Sequence, residues 1–306
     1  MAAERRRSRT PPGAPFVLVR RRSKGMTMIS GRLDAIWRYP VKSLLGERLG
    51  GAELGPTGVE GDRSYALIDV ETGKVASAKR PQLWRRLLEI SAETAPDGEV
   101  RVRFPARNPE PLSAAGIDQL FSTFLGRKVW LSALRRSGES LDRSVPEEVL
   151  AVGEGAAVEM TDLPIAQAAP DGGFFDYAPI HVLTRASLDR IRAACGDDAV
   201  VAERYRPNLV IDCPDAPPFA ENGWTGGEIR IGGATLKVIC PTPRCSVPML
   251  AQGALGKAPG ALTAVLELNR IELPDFGPGL YPCLGAFAAP AAAGEVRVGD
   301  PVSVVI

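Results

Sequence analysis

The chain has 306 residues, enough for about two domains of ordinary size, and its 45% hydrophobic and 24% charged residues exclude a disordered chain, a collagen-like repeat and a disulfide-dense miniprotein. The net charge is +1, yet residues 1–27 carry eight Lys/Arg against one acid, so the remainder, with 29 basic and 35 acidic residues, is mildly acidic at −6. Such a body gives no case for nucleic-acid binding, and no run reaches the roughly 18 apolar residues that a transmembrane segment needs.

The basic leader, residues 1–27, has too short an apolar stretch for a secretory signal, and Pro11, Pro12 and Pro15 break the helix of a transit peptide. It reads as a disordered or untranslated leader, with translation starting at Met26 or Met28, and the protein as cytoplasmic. "ISGRLDAIWRYPVKSL" opens with strand-like alternation and breaks at Pro40. "RSYALIDVETGKVAS" reads as a hairpin, with strands at 65–70 and 74–77 around Glu71-Thr72-Gly73. "PQLWRRLLEISAE" predicts a short helix running into a strand, and "GEVRVRF" a strand. "SAAGIDQLFSTFLG" has helical spacing closed by Gly126, and "KVWLSAL" is a strand. Residues 135–150 are charged and poorly periodic and read as a linker or mobile loop.

In the second half, "PIHVLTRASLDRIRAACG" predicts a strand and then a helix capped by Thr184 or Ser187 and closed by Gly196. "RPNLVIDC" is a buried strand. "EIRIGGATLKVICPTPRC" is a hairpin turning at Gly232-Gly233, with Pro241 and Pro243 stopping its return strand before Arg244. "GEVRVGDPVSVVI" reads as a terminal hairpin or strand pair. The sum is a mainly β protein with some α (α+β) and no βαβ rhythm. A β-barrel-like domain spans 28–134, a linker 135–150, and a second β-rich domain 151–306.

Cys195, Cys213, Cys240, Cys245 and Cys283 form no C-x-x-C pair, and His181 is the single histidine, so neither a zinc finger nor an iron–sulfur cluster is expected. An odd count without a signal peptide reads as reduced thiols. Dinucleotide, P-loop and G-x-S-x-G motifs are absent, which disfavours Rossmann oxidoreductases, P-loop NTPases and esterases.

Four segments place polar or cationic groups at strand ends: Tyr39-Pro40-Val41-Lys42-Ser43, Gly58-Val59-Glu60-Gly61-Asp62-Arg63, Arg206-Pro207-Asn208 and Pro241-Thr242-Pro243-Arg244-Cys245. Strand-end loops are where a barrel holds a ligand. If they converge, Lys42, Arg63 and Arg206 offer cationic donors to phosphate or another polyanion. Asn208 offers a donor and an acceptor to a heterocycle edge. Cys245, beside Arg244 on a rigid loop, is a nucleophile, a redox thiol or a ligand to a soft metal. Singly, each has a plainer reading: a solvated turn for Lys42 and Ser43, a surface ion pair for Arg63, a partner for Glu203 or Asp212 in Arg206, an inert buried thiol for Cys245 and a core histidine for His181.

The order of these segments, "YPVKS", "GDRSYALID", "RYRPNLVID", "FAENGW", "IRIGGATLKV", "RC" and a terminal "VRVGDPV", resembles the MOSC family over about residues 28–306. The likeness is to its two-domain members of the amidoxime-reducing type and their bacterial relatives. The resemblance implies a MOSC N-terminal β-barrel-like domain, a MOSC β-barrel, and a molybdenum cofactor (Mo-molybdopterin) held between them by Lys42, Ser43, Arg63, Asp176, Arg206, Asn208 and Arg244. It implies Cys245 as the molybdenum ligand and catalytic residue, and it leaves pyridoxal phosphate open as a ligand. Tyr177 and Ala178 replace hydroxyls that relatives carry after the acid at Asp176. "SVPML" departs from the usual run after the cysteine. The implied activity is reduction of a small-molecule N-hydroxylated substrate, with electrons from a separate flavin or iron–sulfur reductase. Alternatives are a cofactor carrier or sulfur-handling accessory, and a metal-free binding module on the same barrel.

Overall fold

The structure is a computed structural model that describes residues 27–306. The expectation of a basic leader at 1–27 thus lies, but for its last residue, outside the described residues. Seven strands build a closed barrel: β1 (Met28–Arg38), β2 (Ile180–Thr184), β3 (Leu209–Asp212), β4 (Glu228–Ile231), β5 (Ala234–Pro243), β6 (Leu280–Ala292) and β7 (Pro301–Val305). The order is β2-β3-β1-β7-β4-β5-β6, and β6 pairs back onto β2. All these pairs are antiparallel except β2 with β3. The helix Arg185–Cys195 joins those two, so one βαβ unit sits in a chain where none was expected. Thr184 caps that helix by accepting from the Ser187 backbone N–H, and Gly196, at φ 60°, closes it.

Alternation supplies the barrel core. Ile229, Ile231, Leu236, Val238, Val302 and Val304 point inward, while Arg230 and Lys237 face water. Each such burial contributes about 1.5–3 kcal/mol. In β1 the period breaks: Leu33 and Ile36 are both in the core although three apart. A register shift between Leu33 and Ala35 opposite β3 makes this possible. Gly31 lies so close to β3 that a Cβ there would meet the Asp212 carbonyl oxygen at 2.3 Å, which keeps any side chain out.

The N-terminal half has its own core of Val41, Leu44, Leu67, Trp84, Leu87, Val102, Phe104, Phe121 and Val129. The helix Ile117–Leu125 contributes Phe121, tilted against Phe104 at 5.1 Å between ring centres, and Gly126 at φ 69° closes it. The two halves interlock. The strand Met28–Arg38, read with the first domain, lies between β3 and β7, and the strand Gly51–Gly55 pairs with Gly294–Arg297.

Three further expectations are corrected. The segment 135–150 is not a bare linker: it holds the strand Ser140–Ser144, paired with Met160–Pro164, and most of the helix Pro146–Val152. Its alternation is masked because charged Asp142 and Arg143 point at partners rather than water. The C-terminal strands Gly294–Arg297 and Pro301–Val305 do not form a hairpin with each other, because each finds a different partner across the molecule. In the 65–77 segment the turn forms at Gly73 (φ 71°) and the arms do meet, Asp69 N–H on the Lys74 carbonyl and Ala76 N–H on the Leu67 carbonyl around an Ile68–Val75 bridge, but 74–77 is no full strand and Ala66–Asp69 pairs along its length with Val129–Ser132. Strand β5 runs through Pro241 to Pro243, with its register against β6 disturbed there, and ends before Arg244 as expected.

Candidate functional site

The strand ends converge on one cleft of about 240 Å³. Lys42, Ser43, Arg63, Asp176, Arg206, Asn208, Arg244 and Cys245 all line it. Their sequence separation exceeds 200 residues, so only the closure of the barrel brings them together. Three of them, Ser43 (φ 65°), Arg63 (φ 48°) and Arg206 (φ 55°), hold left-handed backbone that non-glycine residues rarely adopt. Such strain persists only where the surrounding structure enforces it, and here it gathers on one cleft wall.

The loop after β1 starts the wall. The Tyr39 N–H donates to the Asp62 carboxylate at 2.7 Å, and Arg63 N–H donates to the Tyr39 carbonyl at 2.7 Å. The Tyr39 ring lies beneath two guanidinium groups, Arg206 at 4.3 Å and Arg63 at 5.0 Å from its centre. Arg63 is paired with the buried Asp62 carboxylate and donates to Asn208 at 3.3 Å. Arg206 meets neither Glu203 nor Asp212, and instead donates to the Leu44 carbonyl at 2.6 Å.

Lys42 donates to Asp176 at 2.6 Å and to the Phe174 carbonyl at 2.8 Å. Burial pushes its ammonium down to about 8 against the pull of Asp176, so it remains a cation at neutral pH. Burial works to raise the Asp176 carboxyl, but Lys42 and Lys79, the latter at 3.1 Å, hold it well below the usual carboxylate range. Burial also lowers Arg206 to about 10.

Asn208 also serves the scaffold. Its Oδ1 accepts from the His181 N–H at 3.1 Å and from Arg63, and its Nδ2 donates to the Trp37 carbonyl at 3.3 Å. Fully buried, it ties β1 to β2 through both amide atoms while lining the cleft. Ser43 Oγ accepts from the Ala78 N–H at 3.2 Å. Arg244 donates to the Tyr205 carbonyl at 2.8 Å and faces His181 Nε2 at 3.5 Å. Cys245 follows just past the end of β5, buried, with no hydrogen bond to its thiol among the described residues.

His181, expected as a core histidine, is buried with Nδ1 at 3.4 Å from the Arg206 carbonyl and Nε2 at 3.2 Å from the Leu284 carbonyl, and it also lines the cleft. Gly285, at φ 79°, lets the ring lie against β6, where a Cβ would meet Nε2 at 2.5 Å. Burial and Arg244 push its imidazole down to about 3, so it is neutral at physiological pH. The unfolded chain takes this proton near pH 6.5 and the folded chain resists it, so this group makes stability fall as pH drops from 6.5 towards 3. The single histidine gives an unambiguous test: its ring-proton NMR signal should stay flat from pH 8 to 5, and an inflection near 6.5 would contradict the buried neutral ring.

Lys79, Arg143, Ser77 and Thr242 also line the cleft and were missed. Thr242 lies within one of the four singled-out segments; no local signal marks the other three, since a solvated lysine in "SAKR" reads the same as a buried one. Among the described residues no group of three or more His, Cys, Asp or Glu could hold a metal ion alone. The donor set instead suits a polyanion that brings most of its own metal ligands. Cations outnumber acids, and the Thr242 Oγ1, Arg244 Nε and Arg143 Nε atoms are buried without a protein partner. Cys245 is the one thiol on the wall.

A mainly β protein with a cation-lined cleft beside a single cysteine, between two interlocked halves, is the class that fold and site define. The MOSC N-terminal beta barrel domain model matches residues 30–131 and the MOSC domain model residues 170–303. The chain belongs to the two-domain MOSC family. It is similar to human mitochondrial amidoxime reducing component 2, 26% identical over 290 residues that cover 89% of this chain and 83% of that protein. It is likewise 26% identical to mouse mitochondrial amidoxime-reducing component 1, over 89% of this chain and 82% of that protein. A solved structure of the YUAD protein from Bacillus subtilis aligns with a TM-score of 0.43 at 11% identity, over 92% of this chain and 98% of that one, too loosely to carry an argument. Those mitochondrial names belong to the relatives. Among the described residues no helix is long and apolar enough to cross a membrane.

Proposed function

We propose that this chain is a molybdenum-cofactor-dependent oxidoreductase that reduces N-hydroxylated compounds. The observation that carries the reading is Cys245, a buried thiol without a hydrogen-bond partner among the described residues, in a cleft that Lys42, Arg63, Arg206 and Arg244 also line. Arginine and lysine at this density match a cofactor phosphate, and a thiolate suits a soft metal already held by sulfur. Bound there, a molybdenum cofactor would supply the two-electron chemistry.

The chain's own residues bind and orient. Lys42, Arg63 and Arg206 would hold the anionic part, with Tyr39 and Asp62 fixing the two guanidinium groups. Asp176, kept ionised between Lys42 and Lys79, sets their positions. In the overall change the N–O bond of the substrate breaks, two electrons and two protons enter, and water leaves. The electrons require a separate reductase of the flavin or iron–sulfur class, because the sequence holds no flavin motif or cluster cysteines. The relatives' names, amidoxime reducing components, support this substrate class.

The test is to produce the chain in a cofactor-competent host, measure molybdenum and pterin per chain, and follow benzamidoxime reduction with a chemically reduced viologen as donor. Near-stoichiometric molybdenum with amidine product is the expected result. A folded protein with neither metal nor pterin would overturn the reading in favour of a binding module.

A further inference from the structure

Arg143 lies on the strand Ser140–Ser144, in the stretch 132–169 that falls between the two matched family segments. The hairpin that this strand forms with Met160–Pro164 lays Leu163 and Pro164 along the cleft, and Gln167 follows them. Arg143 Nη2 donates to the Arg244 carbonyl at 2.9 Å, one peptide away from Cys245. Its Nε is buried with no partner. Among the described residues it forms no ion pair. Lys42 and Lys79 face Asp176, and Arg63 faces Asp62. Arg206 rests on the Tyr39 ring. Arg244 shares the lack of an ion pair among the described residues and the orphaned Nε, so the two arginines on either side of the Arg244 carbonyl form one uncompensated pair of cations.

A guanidinium half removed from water and lacking a counter-ion favours an incoming anion, and its planar fork matches a carboxylate. The same cleft carries an aromatic wall. Tyr177 packs against Phe276 at 4.8 Å and against Phe287 at 5.5 Å between ring centres. A flat ring with a carboxylate on it would satisfy both features.

We propose that Arg143 is a specificity residue that binds the carboxylate of an aromatic N-hydroxylated substrate beside Cys245. The proposal rests on the reductase reading for the reaction but not for the anion site. The reaction is unchanged in its balance: the N–O bond of the amidoxime breaks, two electrons from the donor and two protons enter, and amidine and water form. Arg143 takes no part in the electron transfer and holds only the carboxylate of the substrate.

The experiment compares 4-carboxybenzamidoxime with benzamidoxime on cofactor-loaded wild type, Arg143→Gln and Arg143→Lys. Molybdenum content is measured on each, and calorimetry follows the products 4-amidinobenzoate and benzamidine. The wild type should prefer the carboxylate substrate by about tenfold in kcat/KM, the size of one charge-assisted hydrogen bond. Arg143→Gln should bring that ratio to about one with molybdenum content unchanged, and Arg143→Lys should retain part of it. The calorimetric preference should follow the same order. Equal treatment of both substrates by the wild type would overturn the proposal, as would loss of molybdenum in Arg143→Gln, which would make Arg143 a cofactor residue. If neither amidoxime turns over but 4-amidinobenzoate binds in an Arg143-dependent way, the reductase reading falls and the carboxylate site stands.

Discussion

Under the proposed reductase function, Cys245→Ala is expected to give a folded protein without bound molybdenum or reductase activity. The thiol makes no hydrogen bond and the change removes a single heavy atom, so the stability cost should be only about 1 kcal/mol. Function should fall far more. Losing an outer-shell partner of a metal typically costs 10–100-fold, and losing a ligand itself should exceed about a hundredfold. The other buried cysteines are the control. Burial pushes the Cys240 and Cys283 thiols up to about 12, so they remain protonated, uncharged thiols packed in their strands. Cys283→Ala should therefore keep its molybdenum. Metal analysis, turnover and a melting curve on the three proteins decide the matter. Wild-type molybdenum in Cys245→Ala would remove Cys245 from the site.

The largest stability effect is expected at Arg204. Its side chain is fully buried and makes no ion pair among the described residues. Its Nη1 donates to the Leu250 carbonyl at 2.9 Å, its Nη2 to the Gly256 carbonyl at 2.6 Å, and its Nε to the Ala199 carbonyl. Gln252 Nε2 donates to the Arg204 carbonyl at 3.3 Å and to the Val247 carbonyl at 3.0 Å. One arginine thus pins the loop that follows Cys245 to the segment that carries Arg206. Arg204→Met fills much of the volume but strands several carbonyl groups in a dry interior. Each costs about 1–3 kcal/mol, so the total should reach roughly 3–5 kcal/mol. Denaturant unfolding of cofactor-free protein measures it. A loss below about 1 kcal/mol would mean that water replaces the guanidinium. Arg204→Lys should recover little, because an ammonium cannot span three carbonyl directions.

Arg204 also illustrates what was legible. It stands in "RYRPN", one position before Tyr205 and two before Arg206, and the motif drew attention only to Arg206 and Asn208. Nothing in a run of polar letters distinguishes an arginine that caps a loop from one that meets a ligand. Asn208 shows the same. Its residue type suits a ligand edge, and the structure adds a role that the sequence did not suggest, bonds to His181, Arg63 and Trp37 that join β1 to β2. His181 sits on an apolar strand as a core residue would, and only the closure of β6 onto β2 turns it towards the cleft.

The sequence by itself determined the features that depend on near neighbours. These are the Ile229–Leu236 hairpin turning at Gly232-Gly233, the Thr184 cap, the helix ends at Gly126 and Gly196, and the strand-end segments that carry the cleft residues. Periodicity and backbone preference act over a few residues, so a single chain displays them directly. The tertiary structure decided everything that required distant partners. It placed β1 between β3 and β7 and sent the two C-terminal strands to different sheets. It folded the segment 135–150 into a strand and helix that bring Arg143 to the cleft, and gathered Lys42, Lys79, Asp176 and Arg244 there with Cys245. Strand pairing and the burial of charge depend on which surfaces meet, and local pattern carries no record of that.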